Sequence, residues 1–365
     1  MLKGVGFNMS KIQVGILGAT GMVGQRFITL LKDHPWFEVV CVAASPRSAG
    51  KPYFQAVAEK WVMPEPIPDA IAKLTVLAVE EDAKKIASQV RFVFSALDLE
   101  KEQIKEIENN FASFGIPVVS NNSANRFTED VPMIIPEINP EHLALIKIQK
   151  RNRGWKDGFI VVKPNCSIQS FVPQISALMD FNPVKIEVTT FQAVSGAGKT
   201  LESWPEMKDN VIPFIGGEEE KTEKEPLKIW GKVKNGTIDL AKNPTISATC
   251  IRVPVSNGHL ASIAVSFGNK PTRDQVLEAW RNFNPLKDLN LPSAPNPFIT
   301  VFDEDNRPQT GLDRSLGNGM GISVGRLRDD IIFDYKFVGL SHNTIRGAAG
   351  GAILMAELLK AKGYI

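Results

Sequence analysis

A short apolar strand carrying Ile12, Val14 and Ile16 runs directly into Gly18-Ala19-Thr20-Gly21-Met22-Val23-Gly24. Beyond it, Met22, Val23, Phe27, Leu30 and Leu31 share one face at helical spacing, and the run stops at His34-Pro35. A second apolar run covers residues 39–44. Strand, glycine turn, amphipathic helix and strand in that order leave few topologies open. The reading that follows is a βαβ unit within a parallel sheet. The glycines let a backbone approach a pyrophosphate, and the helix N-terminus offers it N–H donors. The pattern is GxxGxxG rather than GxGxxG, so the flanking elements carry the inference more than the letters do.

The end of the second strand then separates the dinucleotides. An NAD site usually places a carboxylate there for the ribose 2′-hydroxyl. Here Ala43-Ala44-Ser45-Pro46-Arg47-Ser48-Ala49-Gly50-Lys51 contains none. Arg47 between Ser45 and Ser48 suits a 2′-phosphate, which points to NADP. The plain alternative is a solvated basic turn.

Alternation of βα type continues through an apolar run at 90–96, a charged helical run at 100–113 and another apolar run at 116–120. The expected fold class is therefore α/β, with a Rossmann-type doubly wound parallel sheet over residues 1–157. The character changes near residue 158. A helix from about 167 to 180, with Pro173 placed to remove a hydrogen bond or kink it, leads into alternating runs at 184–192, 246–253, 260–267 and 331–338. These predict an α+β second domain over residues 158–340 with a mainly antiparallel sheet. Residues 344–360 read as a helix that opens with Gly347, Ala348, Ala349, Gly350, Gly351 and Ala352. Small side chains permit close packing or close cofactor approach, and residues 341–365 are expected to return to the first domain.

A length of 365 residues with 43% hydrophobic content accommodates two buried cores. Lys plus Arg (42) nearly balances Asp plus Glu (40), so no strong field points to nucleic acid or to an anionic membrane. The three cysteines are too few and too irregular for a disulfide framework, and no CxxC pair suggests zinc. A reducing, cytoplasmic compartment is expected. Residues 1–10 lack the apolar core of a signal peptide, and no run of about 18 apolar residues occurs. Met9 precedes the first strand, so residues 1–8 read as an extension or as a misplaced start.

Chemistry concentrates at Lys163-Pro164-Asn165-Cys166-Ser167, between the apolar run 159–162 and a helix start. A thiol there is expected to see a helix dipole and unpaired N–H groups, both of which favour thiolate. A free cysteine is only about 3% ionised at neutral pH, so a shift of ~2 units would raise the reactive fraction more than tenfold. Cys41 and Cys250 sit inside apolar runs and read as small core hydrophobes. Arg252-Val253-Pro254-Val255-Ser256-Asn257-Gly258-His259 supplies a cation and a base candidate. Of the remaining histidines, His34 and His142 read as surface or capping residues, and no HxxH or HExxH set suggests a metal. Ala193-Val194-Ser195-Gly196-Ala197-Gly198-Lys199-Thr200 meets a relaxed phosphate-loop pattern, but Pro205 interrupts the helix such a loop needs.

With these stretches in view, the chain resembles the aspartate-semialdehyde dehydrogenase family, in the branch found in archaea, fungi and some bacteria. The matching stretches are 18–24, 45–50, 120–140, 164–167, 192–198, 214–221, 252–259 and 342–351, nearly end to end. The resemblance implies an NADP-binding Rossmann domain joined to an α+β catalytic and dimerisation domain. It also implies a reaction: a cysteine attacks the acyl phosphate of aspartyl phosphate, phosphate leaves, and hydride from NADPH releases the semialdehyde. Cys166 takes the nucleophile position, His259 the acid/base position and Gln192 that of a glutamine orienting the acyl intermediate. Arg252 matches the arginine that grips the substrate carboxylate. Arg126 and Lys221 match phosphate-binding cations, and Glu218 and Asn165 fall among the substrate residues. For the cofactor, Gly18, Thr20, Gly21, Met22, Val23, Ser45, Arg47, Ser48, Ser95, Leu97, Ser195 and Asn343 are implied. No metal is implied. A small-molecule substrate and phosphate are the expected partners, with a homodimer or homotetramer as the assembly. A similar reductase acting on malonyl-CoA and a non-catalytic NADP-binding redox sensor are the alternatives. The Pro-Asn-Cys sequence speaks against the first, and the cations Arg252, Arg126 and Lys221 against the second.

Overall fold

The computed structural model describes residues 10–365; the extension at residues 1–8 lies outside the described residues. Six strands form the first sheet: β1 (Ile12–Leu17), β2 (Phe37–Ala44), β3 (Leu77–Ala78), β4 (Phe92–Ser95), β5 (Val118–Ser120) and β6 (Ile160–Val162). Their order is β3-β2-β1-β4-β5-β6, with every neighbouring pair parallel. Both faces are covered, which is why β4 and β5 are buried at every position rather than alternating. Helix α1 (Met22–Leu31) packs on one face, where Phe27 stacks on Phe94 with ring centroids 4.6 Å apart. Helix α2 (Lys101–Ser113) covers the other face through Ile104, Ile107 and Phe111.

The second sheet has the order β10-β7-β11-β14-β13-β12. It comprises β7 (Pro183–Gln192), β10 (Thr245–Arg252), β11 (His259–Phe267), β12 (Ile299–Val301), β13 (Ile322–Asp329) and β14 (Tyr335–Ser341); β8 (Lys232–Lys234) and β9 (Thr237–Asp239) form a separate hairpin. The pairs β7–β11, β11–β14 and β13–β14 are antiparallel, and β7–β10 and β12–β13 are parallel. The sheet is thus mixed and mostly antiparallel. Along β7 burial alternates, with Ile186, Val188, Thr190 and Gln192 inward, as period-two patterning requires. Helix α3 (Glu218–Ile229) lies beside β10, and α4 (Arg273–Asn282) seats Trp280 against Phe337 at 5.0 Å.

The chain then crosses back. Helix α5 (Gly350–Ala361) buries Ile353, Leu354 and Leu358 in the same cluster as Val14, Ile16 and Phe27 of the first sheet.

Four local expectations are corrected. The helix expected at 167–180 is three pieces: a 3₁₀ turn at Ser167–Ser170, an α-turn at Val172–Ser176 and a second 3₁₀ turn at Met179–Phe181. Phe171, at φ −142° and ψ −33°, breaks the path, and Pro173 falls in the first turn of the new helix, where its missing N–H costs nothing. The strand expected at 331–338 begins only at Tyr335, and its partner β13 escaped notice. Ile331 and Ile332 are 98% and 81% exposed in a turn whose N–H groups, from Ile332 and Phe333, donate to Asp330 Oδ1; a carboxylate that caps its own turn overrides the β propensity of isoleucine. His34 and His142 are buried, not superficial. His34 Nε2 meets Glu357 at 2.8 Å, and His142 meets Asn139 and the Gly231 carbonyl at 2.9 Å each.

Candidate active site

Both sheets deliver strand ends to one crevice. Gln192 ends β7, Arg252 ends β10 directly beside it in the ladder, and His259 opens the antiparallel β11. From the first sheet, β6 stops at Val162 and the chain continues through Lys163-Pro164-Asn165 to Cys166. Cys166 Sγ lies 3.5 Å from His259 Nε2. The other ring nitrogen, Nδ1, accepts the Ala193 N–H at 3.1 Å. An acceptor Nδ1 fixes the neutral tautomer, so the proton sits on Nε2 and faces the sulfur. His259 is therefore arranged to donate a hydrogen bond there.

Two glycines make the approach possible. A Cβ on Gly196 would lie 2.9 Å from Arg252 Nη1 and 3.1 Å from His259 Nε2, and one on Gly347 would lie 2.8 Å from Cys166 Cβ. A small residue of the C-terminal segment thus lies directly against Cys166.

Glu218, first residue of α3, gathers the surrounding groups. It accepts from Asn165 Nδ2 at 3.0 and 3.1 Å, from Lys221 Nζ at 2.8 Å and from Gln192 Nε2 at 3.3 Å. Glu219 instead accepts the Cys250 N–H and Glu220 pairs with Lys224, so Glu218 is the glutamate of the three turned to the site. Asn165 Oδ1 accepts both the N–H and the hydroxyl of Ser167 at 2.7 Å. With each polar side-chain atom bonded to protein, Asn165 holds the turn around Cys166. Arg252 is buried and donates to the Ala193 carbonyl at 2.6 Å. Arg126 donates to the Lys163 carbonyl at 3.1 Å and pairs with Glu225 at 2.8 Å.

Sequence reasoning missed Glu225 and Lys163. Glu225 joins Arg126 to the Asn165 N–H, which it accepts at 2.6 Å, and Lys163 is buried with Nζ on the Pro164 carbonyl at 2.5 Å. A carboxylate in the middle of the charged run 218–225 carries no local signal of burial. Lys163 opens the pentapeptide in which the chemistry concentrates, yet it received no role of its own there.

The electrostatics correct the expected thiolate. Burial, then the Glu218 carboxylate, raise the Cys166 pKa, while Lys163, Arg126 and Arg252 pull the other way. The expected helix start is a four-residue 3₁₀ turn, too short to carry much dipole. Burial, with Arg252 and His342 nearby, pushes His259 down to about 3, so it is neutral throughout the ordinary pH range. Burial, with Arg126 next, lowers Lys163 to about 7.

Most of the residues expected to contact the nucleotide lie along the C-terminal edge of the first sheet. Gly18 has φ +82°, and a Cβ there would meet the Ala96 carbonyl at 2.2 Å, while one on Gly24 would meet the Gly18 carbonyl at 2.3 Å. Gly21 is different: its nearest neighbour would be 3.6 Å away, so protein packing does not demand it. Free space over Gly21, beside Thr20, Met22 and Val23 at the start of α1, fits the close approach of a diphosphate. Ser45 and Arg47 are exposed on the turn after β2, and Ser48 is buried in it. That turn fits a 2′-phosphate. Ser95 turns its hydroxyl inward to accept from Asn122 at 2.9 Å, and Leu97 follows it, buried, beside Gly18. Met22 and Ser195 line one cleft of about 180 Å³ together with Asn257 and Thr344. Asn343 donates to Ser195 Oγ at 2.8 Å and accepts the Gly258 N–H at 2.8 Å, which ties the cleft to His259. The phosphate-loop look-alike forms a 3₁₀ turn, Val194–Ala197, ending at Gly198 in the left-handed region. No cluster of metal-ligating side chains occurs among the described residues, and no helix of the described chain is long and apolar enough to cross a membrane.

Comparison with known proteins bears on this arrangement. Residues 13–146 match the family model described as "Semialdehyde dehydrogenase, NAD binding domain", and residues 175–346 match "Semialdehyde dehydrogenase, dimerisation domain". The chain is 47% identical to the aspartate-semialdehyde dehydrogenase of Archaeoglobus fulgidus over 96% of its length and 98% of that protein's. It is 46% identical to the Schizosaccharomyces pombe enzyme of the same name, covering 97% and 99%. Among solved structures, aspartate semialdehyde dehydrogenase with NADP from Candida albicans superposes with a TM-score of 0.87 at 40% identity, covering 98% of this chain and all of that one.

Proposed function

This chain belongs to the aspartate-semialdehyde dehydrogenase family, and from that premise we propose that it catalyses the reversible, NADP-dependent reductive dephosphorylation of L-4-aspartyl phosphate to L-aspartate 4-semialdehyde, a step of lysine, methionine and threonine biosynthesis. The carrying observation is Cys166 Sγ at 3.5 Å from a protonated His259 Nε2, with Arg252 and Arg126 among the groups acting on that sulfur. A dianionic or trianionic substrate calls for such fixed cations.

Arg252 grips the substrate carboxylate, and Arg126 and Lys221 hold its phosphate. Cys166 Sγ then bonds to the acyl carbon as the bond from that carbon to the phosphate oxygen breaks. His259 Nε2 already carries a proton, so the thiol proton leaves with the departing phosphate. The result is a thioester on Cys166, oriented by Gln192. NADPH, when bound by the Gly18-to-Val23 turn with Ser45, Arg47, Ser48, Ser95, Leu97, Ser195 and Asn343, supplies the hydride. His259 Nε2–H donates to the oxygen on which negative charge develops, a contact of the oxyanion-hole kind. Breaking the carbon–sulfur bond frees the semialdehyde, and the sulfur recovers a proton from solvent.

The remaining readings go with this activity. Residues 1–157 with 341–365 form the NADP-binding domain, and residues 158–340 the catalytic and dimerisation domain. The assembly is a homodimer or a homotetramer, and the three unpaired cysteines suit a cytoplasmic enzyme. Purified protein given NADP, phosphate and aspartate semialdehyde should form NADPH, and Cys166→Ala should abolish both turnover and the covalent acyl species. Turnover with malonyl-CoA alone, or none with any of these substrates, would overturn the assignment.

A further inference from the structure

Helix α2 reads as a charged helical run, yet Glu108 on its inner face is wholly buried. No cation pairs with it among the described residues, and three side chains converge on it as donors. Oε1 accepts from Ser120 Oγ at 2.6 Å and from Asn122 Nδ2 at 3.1 Å; Oε2 accepts from Asn125 Nδ2 at 2.8 Å. One donor assignment is fixed from outside the cluster. Asn125 Oδ1 receives Thr128 Oγ1 at 2.9 Å, so its amide NH₂ points to Glu108, while Ser120 Oγ also receives the Asn122 N–H at 3.1 Å. Asn122 Nδ2 also reaches Ser95 Oγ at 2.9 Å. Burial pushes the Glu108 carboxyl up while the converging donors pull it back, so both oxygens are tied into the cluster by geometry rather than by a counter-charge.

The partners fall at one place in the fold. Ser95 ends β4, Ser120 ends β5, and Asn122 and Asn125 belong to the loop that carries Arg126. Glu108 itself touches neither Cys166 nor His259. We propose that Glu108 is a positioning residue: it locks the ends of β4 and β5 to the Arg126 loop and so sets the geometry with which phosphate is held. This rests on the reading of Arg126 as a phosphate cation. A glutamine at 108 has one amide oxygen and an NH₂, so its NH₂ would face a donor and one arm of the cluster would open.

The test compares phosphate with the other reactants in the direction of semialdehyde oxidation. Glu108→Gln should raise the KM for phosphate about tenfold, the scale of one lost hydrogen bond to a charged group. The KM for aspartate semialdehyde should stay within about threefold, below the loss of one such bond. On an Arg126→Ala background the same change should add nothing. Asn125→Ala removes the Oε2 donor and should reproduce the phosphate-selective effect if Glu108→Gln does not fold. An unchanged phosphate KM, an equal rise in both constants, or a full additional loss on top of Arg126→Ala overturns the proposal. If Arg126→Ala alone leaves the phosphate KM unchanged, the Arg126 reading fails first, and that outcome is visible without any variant at 108.

Discussion

Gly347 lies against Cys166 so closely that a Cβ on it would stand 2.8 Å from the Cys166 Cβ and 3.1 Å from its Cα. Neither neighbour is the free end of a flexible chain. The preceding residue is anchored too, since the Arg346 guanidinium takes both oxygens of the buried Glu137 at 2.6 and 2.7 Å. The glycine sets the distance at which the C-terminal segment can pass behind Cys166.

Gly347→Ala should therefore displace Cys166 rather than Gly347. Overpacking of this kind costs roughly 1–3 kcal/mol of stability, and a displacement of about 1 Å at a reacting atom costs about a hundredfold in rate. A thermal melt with kcat/KM on the same preparation checks both. Wild-type kinetics with an unchanged melt would show that the segment yields instead.

His259 is expected to work as a donor and not as a base. His259→Ala should lose on the order of 10²–10³ in kcat, the range for one oxyanion donor, while His259→Gln, which keeps a donor but cannot take a proton, should recover at least about a tenfold part of that loss. Equal losses in the two variants would restore the general-base role.

The same histidine and His342 leave a mark on stability. Both have folded pKa values pushed down to about 3, chiefly by burial, against an ordinary value of 6.5. Between those values the unfolded chain binds the protons and the folded one does not. Stability is unaffected above pH 6.5 and falls as pH drops below it, by as much as about 1.4 kcal/mol per pH unit for each group. The melting temperature measured from pH 8 to pH 4 should decline on the acid side, and more gently in His342→Asn.

Glu218 holds the Cys166 thiol up, after burial itself. Glu218→Gln should move the pH profile of Cys166 alkylation to lower pH, while loosening Lys221 and Asn165, which both bond to that carboxylate. Mass-resolved iodoacetamide labelling of Cys166 across pH 6–10 reads the shift. A profile unmoved or displaced upward would leave burial as the whole cause.

Arg47→Glu should weaken NADP by about 1.5–3 kcal/mol, the worth of a charge-assisted hydrogen bond, and leave NAD nearly unchanged. Titration of both nucleotides against intrinsic fluorescence decides it; equal effects on the two would place Arg47 away from the 2′-phosphate.

Local periodicity made the parallel sheet legible, because β1, α1 and β2 each carry their own burial pattern and the Gly18 turn permits one connection between them. Pro-Asn-Cys and the Arg252–His259 spacing likewise marked the residues that the two sheets bring together, since those residue types in that order carry the chemistry proposed. Neither signal could reveal the N–H from Ala193 that occupies His259 Nδ1, nor the direction in which burial and Glu218 push the Cys166 thiol. The buried roles of Glu108, Glu225, His34 and His142 were equally hidden. A charged or polar side chain records in the sequence only that it can bond. Whether it faces water or a partner far along the chain depends on how distant elements pack, and only the tertiary structure fixes that.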